Sequence, residues 1–101
     1  MSVPTAATLA HIATAHERVE VALARLRPAA KAGRPGSAAK QTDLLAINAV
    51  LGSALYEATV GTWVLVRADL RAALKLAERA RIRTVTQAVR RALERAEGLA
   101  F

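Results

Sequence analysis

Residues 62–66 read Thr62-Trp63-Val64-Leu65-Val66, and the fold turns on what they become. As a run of β-branched and aromatic residues they suit a short strand. They equally suit the start of a helix, because Leu65 stays near the helical stripe that follows. Downstream, Asp69 offers an N-cap, and Leu70, Ala73, Leu74 and Ala77 recur on one helical face up to about Ala80. Arg81-Ile82-Arg83 reads as a turn. Thr84 with Gln87 three residues on has the form of a capping box. The last helix then places Val85, Val89, Ala92 or Leu93, and Ala96 inward, runs to about Glu97 and stops at Gly98.

Upstream the periodicity is clearer. Leu9, Ile12, His16, Val19, Leu23 and Leu26 alternate steps of three and four, a heptad stripe that predicts a first helix over 5–27. Thr5 follows Pro4 as its cap, and Pro28 predicts its end, because the residue before a proline disfavours the α region. Residues 28–41 have linker composition, with Pro28, Gly33, Pro35 and Gly36 among small residues. Ser37 and Thr42 are both candidate caps for a second helix over 43–59, whose stripe is Leu44, Ile47, Leu51, Leu55 and Ala58 and whose C-cap is Gly61. The expected architecture is all-α. An N-terminal antiparallel helical hairpin is followed by two C-terminal helices, with a short dimerising strand at 62–67 as the open alternative. A bare hairpin exposes its apolar stripes, so a third element or a second chain must cover them.

Composition agrees. The 101 residues fit one small domain, and 25 alanines with only three aromatic residues favour helices over a β-sandwich or barrel. The lack of cysteine excludes disulfides, thiolate zinc sites and cysteine nucleophiles. Met1 to Ala10 has no basic n-region, so the expected compartment is the cytoplasm. Leu44 to Val66 is long enough to span a bilayer and carries one charge, Glu57. Asn48 and Glu57 oppose that use, an acidic residue in hydrocarbon costing about 2.5–3.5 kcal/mol. The preferred reading is a buried helix and a short second element.

The chain carries a net charge of +7, and arginine outnumbers lysine twelve to three. The basic residues lie in 1–41 and 67–101, on either side of an apolar middle that holds only Asp43 and Glu57. Planar guanidinium groups suit phosphate and carboxylate recognition. With so few aromatic residues to stack on bases, nucleic-acid binding would rest on duplex phosphates.

Catalytic chemistry is poorly supported. His11 and His16 are five residues apart, about 140° around a helix, and do not converge on a metal. His16 sits on the apolar stripe one turn from Glu20, within pairing reach. Glu57 lies in apolar context without a second carboxylate at helical spacing, and is expected to pair with an arginine across the bundle or a dimer. No phosphate-binding glycine loop, dinucleotide fingerprint or nucleophile motif occurs. The chain is expected to be non-enzymatic, with no catalytic residue, cofactor or metal.

Read as strand, helix, turn and capped helix, residues 62–97 resemble the ribbon-helix-helix family of DNA-binding repressors and antitoxins. The stretch that carries the resemblance is Ile82-Arg83-Thr84-Val85-Thr86-Gln87-Ala88-Val89-Arg90-Arg91-Ala92-Leu93, similar to that family's turn and second helix. Where the family usually places a glycine, this chain has Arg81. The resemblance implies dimerisation by strand pairing, a ribbon in the major groove carrying Thr62 and Arg67, and phosphate contacts from Arg83, Thr84 and Thr86. The function expected is a small dimeric DNA-binding regulator with double-stranded DNA as partner. The alternatives are a helical adaptor subunit binding a protein partner through the first two helices, and a membrane-associated protein inserting 44–66.

Overall fold

The computed structural model describes residues 3–98. Four helices make up almost all of them: α1 (Val3–Lys31), α2 (Ser37–Val60), α3 (Trp63–Ala80) and α4 (Arg83–Glu97). α1 packs on α2 and α4, and α3 packs on the same two, so the helices form a ring in which diagonal pairs do not meet. Two ion pairs record the antiparallel order. Asp43 near the start of α2 meets Arg79 near the end of α3, and Arg71 of α3 meets Glu97 at the end of α4. The bundle is elongated, 46 × 19 × 18 Å.

Its core is one continuous seam. Ile12, Ala15 and Val19 from α1 meet Leu44, Ile47, Leu51 and Ala54 from α2. Trp63, Val66, Leu70 and Ala73 from α3 and Val85, Val89 and Ala92 from α4 complete it. Each set repeats every three or four residues, the signature of one buried helical face. Many of the buried positions are alanine, which leaves little side-chain volume between the helices.

No strand occurs among the described residues: the open alternative of a dimerising strand at 62–67 gives way to the start of α3 at Trp63. Packing decides it: Trp63 and Val66 fall in phase with Leu70, and all three are buried, whereas an alternating strand would have put Trp63 and Val66 on opposite faces. The break that sets α3 apart from α2 is Gly61, whose φ of 82° lets the amides of Gly61 and Thr62 bond back to Ala58 and Glu57. The ribbon implied by the resemblance therefore has no strand to build it among the described residues.

The expected boundaries also move. α1 runs through Pro28 to Lys31 instead of stopping at Arg27. Ala24 and Pro28 are exposed, so the carbonyl that loses its partner to the proline faces water, and alanine-rich flanks favour continuation. The expected 28–41 linker shrinks to residues 32–36. α2 starts at Ser37 rather than 43, and Thr42 lies inside it, its hydroxyl donating to the Ala38 carbonyl. Asp69 lies within α3 rather than capping it.

Candidate nucleic-acid interface

The α3–α4 turn is built from three residues with different tasks. Arg81 closes α3 in the left-handed conformation (φ 56°), its amide donating to the Glu78 carbonyl at 3.1 Å. Ile82 is extended and packs its side chain against the core. Because an isoleucine holds the cap position, no side-chain oxygen meets the first amides of α4. The expected Thr84–Gln87 capping box does not form: α4 begins one residue before Thr84. The Thr86 hydroxyl instead donates to the Ile82 carbonyl at 3.0 Å. The opening amides of α4 thus keep a partial positive charge without a partner from a capping side chain.

Cations gather round this turn. A groove of about 710 Å³ lies between the C-terminal half of α1, the start of α2 and the turn. Its rim carries Arg18, Arg25, Lys40, Arg81 and Arg83 against one acid, Glu17, and Val21, Leu26, Leu44 and Ile82 supply apolar lining. A second, shallower hollow shares Arg81 and Arg83 and adds Arg90, Thr86 and Glu78. Among the described residues Arg79 is neutralised by Asp43 at 2.7 Å and Arg71 by Glu97 at 3.0 Å, whereas the groove's five cations and Arg90 make no ion pair. Like charges held together without counterions raise the local potential, and an arriving anion relieves it.

The structure brings Arg83 and Thr84 into the groove and Thr86 into the adjoining hollow. Thr86 has already committed its hydroxyl proton to Ile82, so only its oxygen lone pairs remain. Arg67 is not part of this cluster. It sits near the other end of α3, 13 residues from Ala80, roughly 20 Å along a helix. Sequence reasoning missed Arg18, Arg25, Lys40 and Arg81. A signal existed for two of them: Arg18 and Arg25 are seven residues apart and share a helical face, as do Arg83 and Arg90.

The opposite end of the bundle holds carboxylates. The expected pairing of Glu57 with an arginine does not occur among the described residues; its carboxyl group instead lies close to that of Asp69 across the α2–α3 seam. One oxygen of each carboxyl group is buried without a hydrogen-bond partner. Burial, with the hydrogen bond and negative charge of Asp69, pushes the Glu57 pKa above its usual 4.5. His16 Nδ1 lies 2.9 Å from the Glu20 carboxylate on the surface of α1. Among the described residues no three metal-ligating side chains converge.

No protein family, curated protein or solved structure matches this chain.

Proposed function

We propose that the chain is a non-enzymatic binder of duplex DNA that grips the phosphate backbone with its basic end. The observation that carries this reading is the set of unpaired cations around the uncapped start of α4. Arg18, Arg25, Lys40, Arg81 and Arg83 supply charge from three helices and a turn. The free amides of α4 supply directed donors of the kind that hold phosphate at helix N-termini. Because these contacts are to phosphate, they set affinity and orientation and leave base sequence unread.

The backbone of Arg81 supports the same reading. A left-handed residue with a side chain is less stable there than glycine by roughly 1 kcal/mol. Holding an arginine at that position places a guanidinium at the junction of the two concave surfaces. Regulation of transcription, with the antitoxin or repressor character that the resemblance implies, is part of this proposal and needs no ribbon for the phosphate contacts.

The test compares a fluorescent random-sequence duplex with polyglutamate, by anisotropy at about 150 mM salt, where the screening length is about 8 Å. The proposal expects duplex binding in the micromolar range, typical of sequence-independent contact, and weaker binding of polyglutamate. Equal or stronger binding of the acidic peptide favours the second reading, a helical adaptor that docks on acidic protein.

A further inference from the structure

The groove at the α3–α4 turn holds more than charge, and helix length explains why. α3 and α4 span 18 and 15 residues, against 29 and 24 for α1 and α2. Arg79 near the end of α3 pairs with Asp43, so residues 37–42 of α2 and the facing end of α1 extend past the turn. The groove lies at this step in the bundle. Its floor is apolar for that reason. The stripe of α1 that buries Ile12 and Val19 among the other helices continues to Leu26, which stays half-buried.

Phosphate contact does not account for this floor. Surfaces that meet DNA are more polar than those that meet protein, and a phosphate diester gains nothing from a leucine. Val21 is the most telling residue. It is 42% exposed and lies outside the core, so folding does not use its surface. It stands between Arg18 and Arg25 at steps of three and four. One helical face therefore presents a cation, an apolar side chain and a second cation.

Both features select the occupant. Five cations against Glu17 select an anion. The floor of Val21, Ala22, Leu26, Leu44 and Ile82 selects a hydrocarbon body beside that charge. The volume of about 710 Å³ falls within the roughly 300–1,000 Å³ of small-molecule sites, which combine apolar lining with a few orienting polar groups. The groove follows α1 over residues 14–25, roughly 16 Å of helix, which gives an extended chain room to lie along it.

We infer that this groove is a binding site for a small anionic amphiphile, a carboxylate or phosphate head on a hydrocarbon body. The rim cations hold the head, and the body lies against Val21, Leu26 and Ile82. The same cations serve the proposed duplex contact, so ligand and duplex exclude each other. That exclusion alone rests on the proposed function; the site itself does not.

The experiment is isothermal titration calorimetry of the full chain without DNA, at about 150 mM salt. The probe is decanoate, kept below the concentration at which it aggregates. Saturable binding is expected, at least tenfold tighter than that of butyrate, with none of decyltrimethylammonium. Each fully buried methylene contributes about fourfold, so a half-covered longer chain suffices. Val21→Asn and the pair Arg18→Ala/Arg25→Ala should each weaken decanoate binding about fivefold or more. Val64→Asn, at a valine 71% exposed near the start of α3, should leave it unchanged. All these positions are exposed, and circular dichroism melts check that the variants stay folded. Because no duplex is present, failure of the DNA reading leaves these results intact. Equal affinity for butyrate, equal affinity for the cationic amphiphile, or binding that Val21→Asn does not weaken overturns the inference. Binding to phosphatidylglycerol vesicles but not to dispersed decanoate would overturn it in favour of a membrane surface.

Discussion

α2 and α4 bury similar inner stripes and turn opposite surfaces outward. Inside, α2 offers Leu44, Ile47 and Leu51 and α4 offers Val85, Val89 and Leu93, to one shared core. Outside, α4 shows Arg83, Arg90 and Glu94, while α2 shows Leu45, Ala49, Tyr56 and Val60. Folding accounts for the inner faces of both, because burial of apolar area rewards them equally. It does not account for the outer ones, where a charged residue would serve either helix. We therefore look to the outer faces for function: unpaired cations around the α3–α4 turn that suit an anion, and an uncharged stripe on α2 that packing within the chain does not use.

The largest effect separates the two faces of α2. Leu51→Ala removes a fully buried side chain and should cost about 2–5 kcal/mol. Leu45→Ala, half exposed, should cost less than about 0.5 kcal/mol. Urea unfolding of the two variants checks both; equal costs would place the outer stripe inside the folding core.

Next comes the basic end. Removing Arg81 and Arg83 together by alanine should weaken duplex binding roughly 10- to 100-fold at moderate salt, from lost charge-assisted contacts of about 1.5–3 kcal/mol each before compensation. Arg81→Gly should act in two directions at once. It should raise stability by about 1 kcal/mol by relieving the left-handed strain, and it should weaken duplex binding. A variant improved in both would remove the argument that Arg81 is held for its charge.

The carboxylate end supplies a pH test. A glutamate whose folded pKa is raised contributes stability that is full below its unfolded pKa and is lost as pH rises through the folded value. The Glu57 contribution should therefore grow as pH falls from neutral toward 4.5. Glu57→Gln keeps a hydrogen-bond donor toward Asp69 without needing a proton. It should raise the melting temperature at pH 7 and flatten this part of the pH profile; an unchanged slope would mean that the pair does not interact in solution. The smallest expected effect is Arg67→Ala, under twofold on duplex affinity, because Arg67 stands at the far end of α3 from the groove.

Much of the helix content was legible in the sequence, since periodicity is a direct record of burial. The inner stripe of α4 could be read residue by residue, and those of α2 and α3 except at Leu55 and Leu74, which are only half-buried while Ala54 is fully buried. The state of residues 62–66 could not, because local β preference and helical phase pointed different ways. Burial of Trp63 and Val66 beside Leu70 settled them. The end of α1 was misjudged because a proline's penalty depends on whether the freed carbonyl reaches water, which is a property of the fold. Of the residues lining the basic groove, Arg83 and Thr84 are ones that the resemblance of 82–93 to a known family singles out. Arg18, Arg25 and Lys40 were not legible, because they reach the turn only through the packing of α1 and α2. The Glu57–Asp69 pair was hidden for the same reason, its members lying on different helices.

The central claim is that the basic end, rather than net charge at large, holds duplex phosphate. The most direct test is duplex affinity between about 50 and 200 mM salt, for the wild type, Arg81→Ala/Arg83→Ala and Arg67→Ala. Each phosphate contact contributes about −0.9 to the log–log slope. Five groove cations predict a wild-type slope of about −4.5. The double variant should lose about two units and Arg67→Ala almost none. Equal slope changes in both variants, or no wild-type binding at 50 mM salt, would contradict the account.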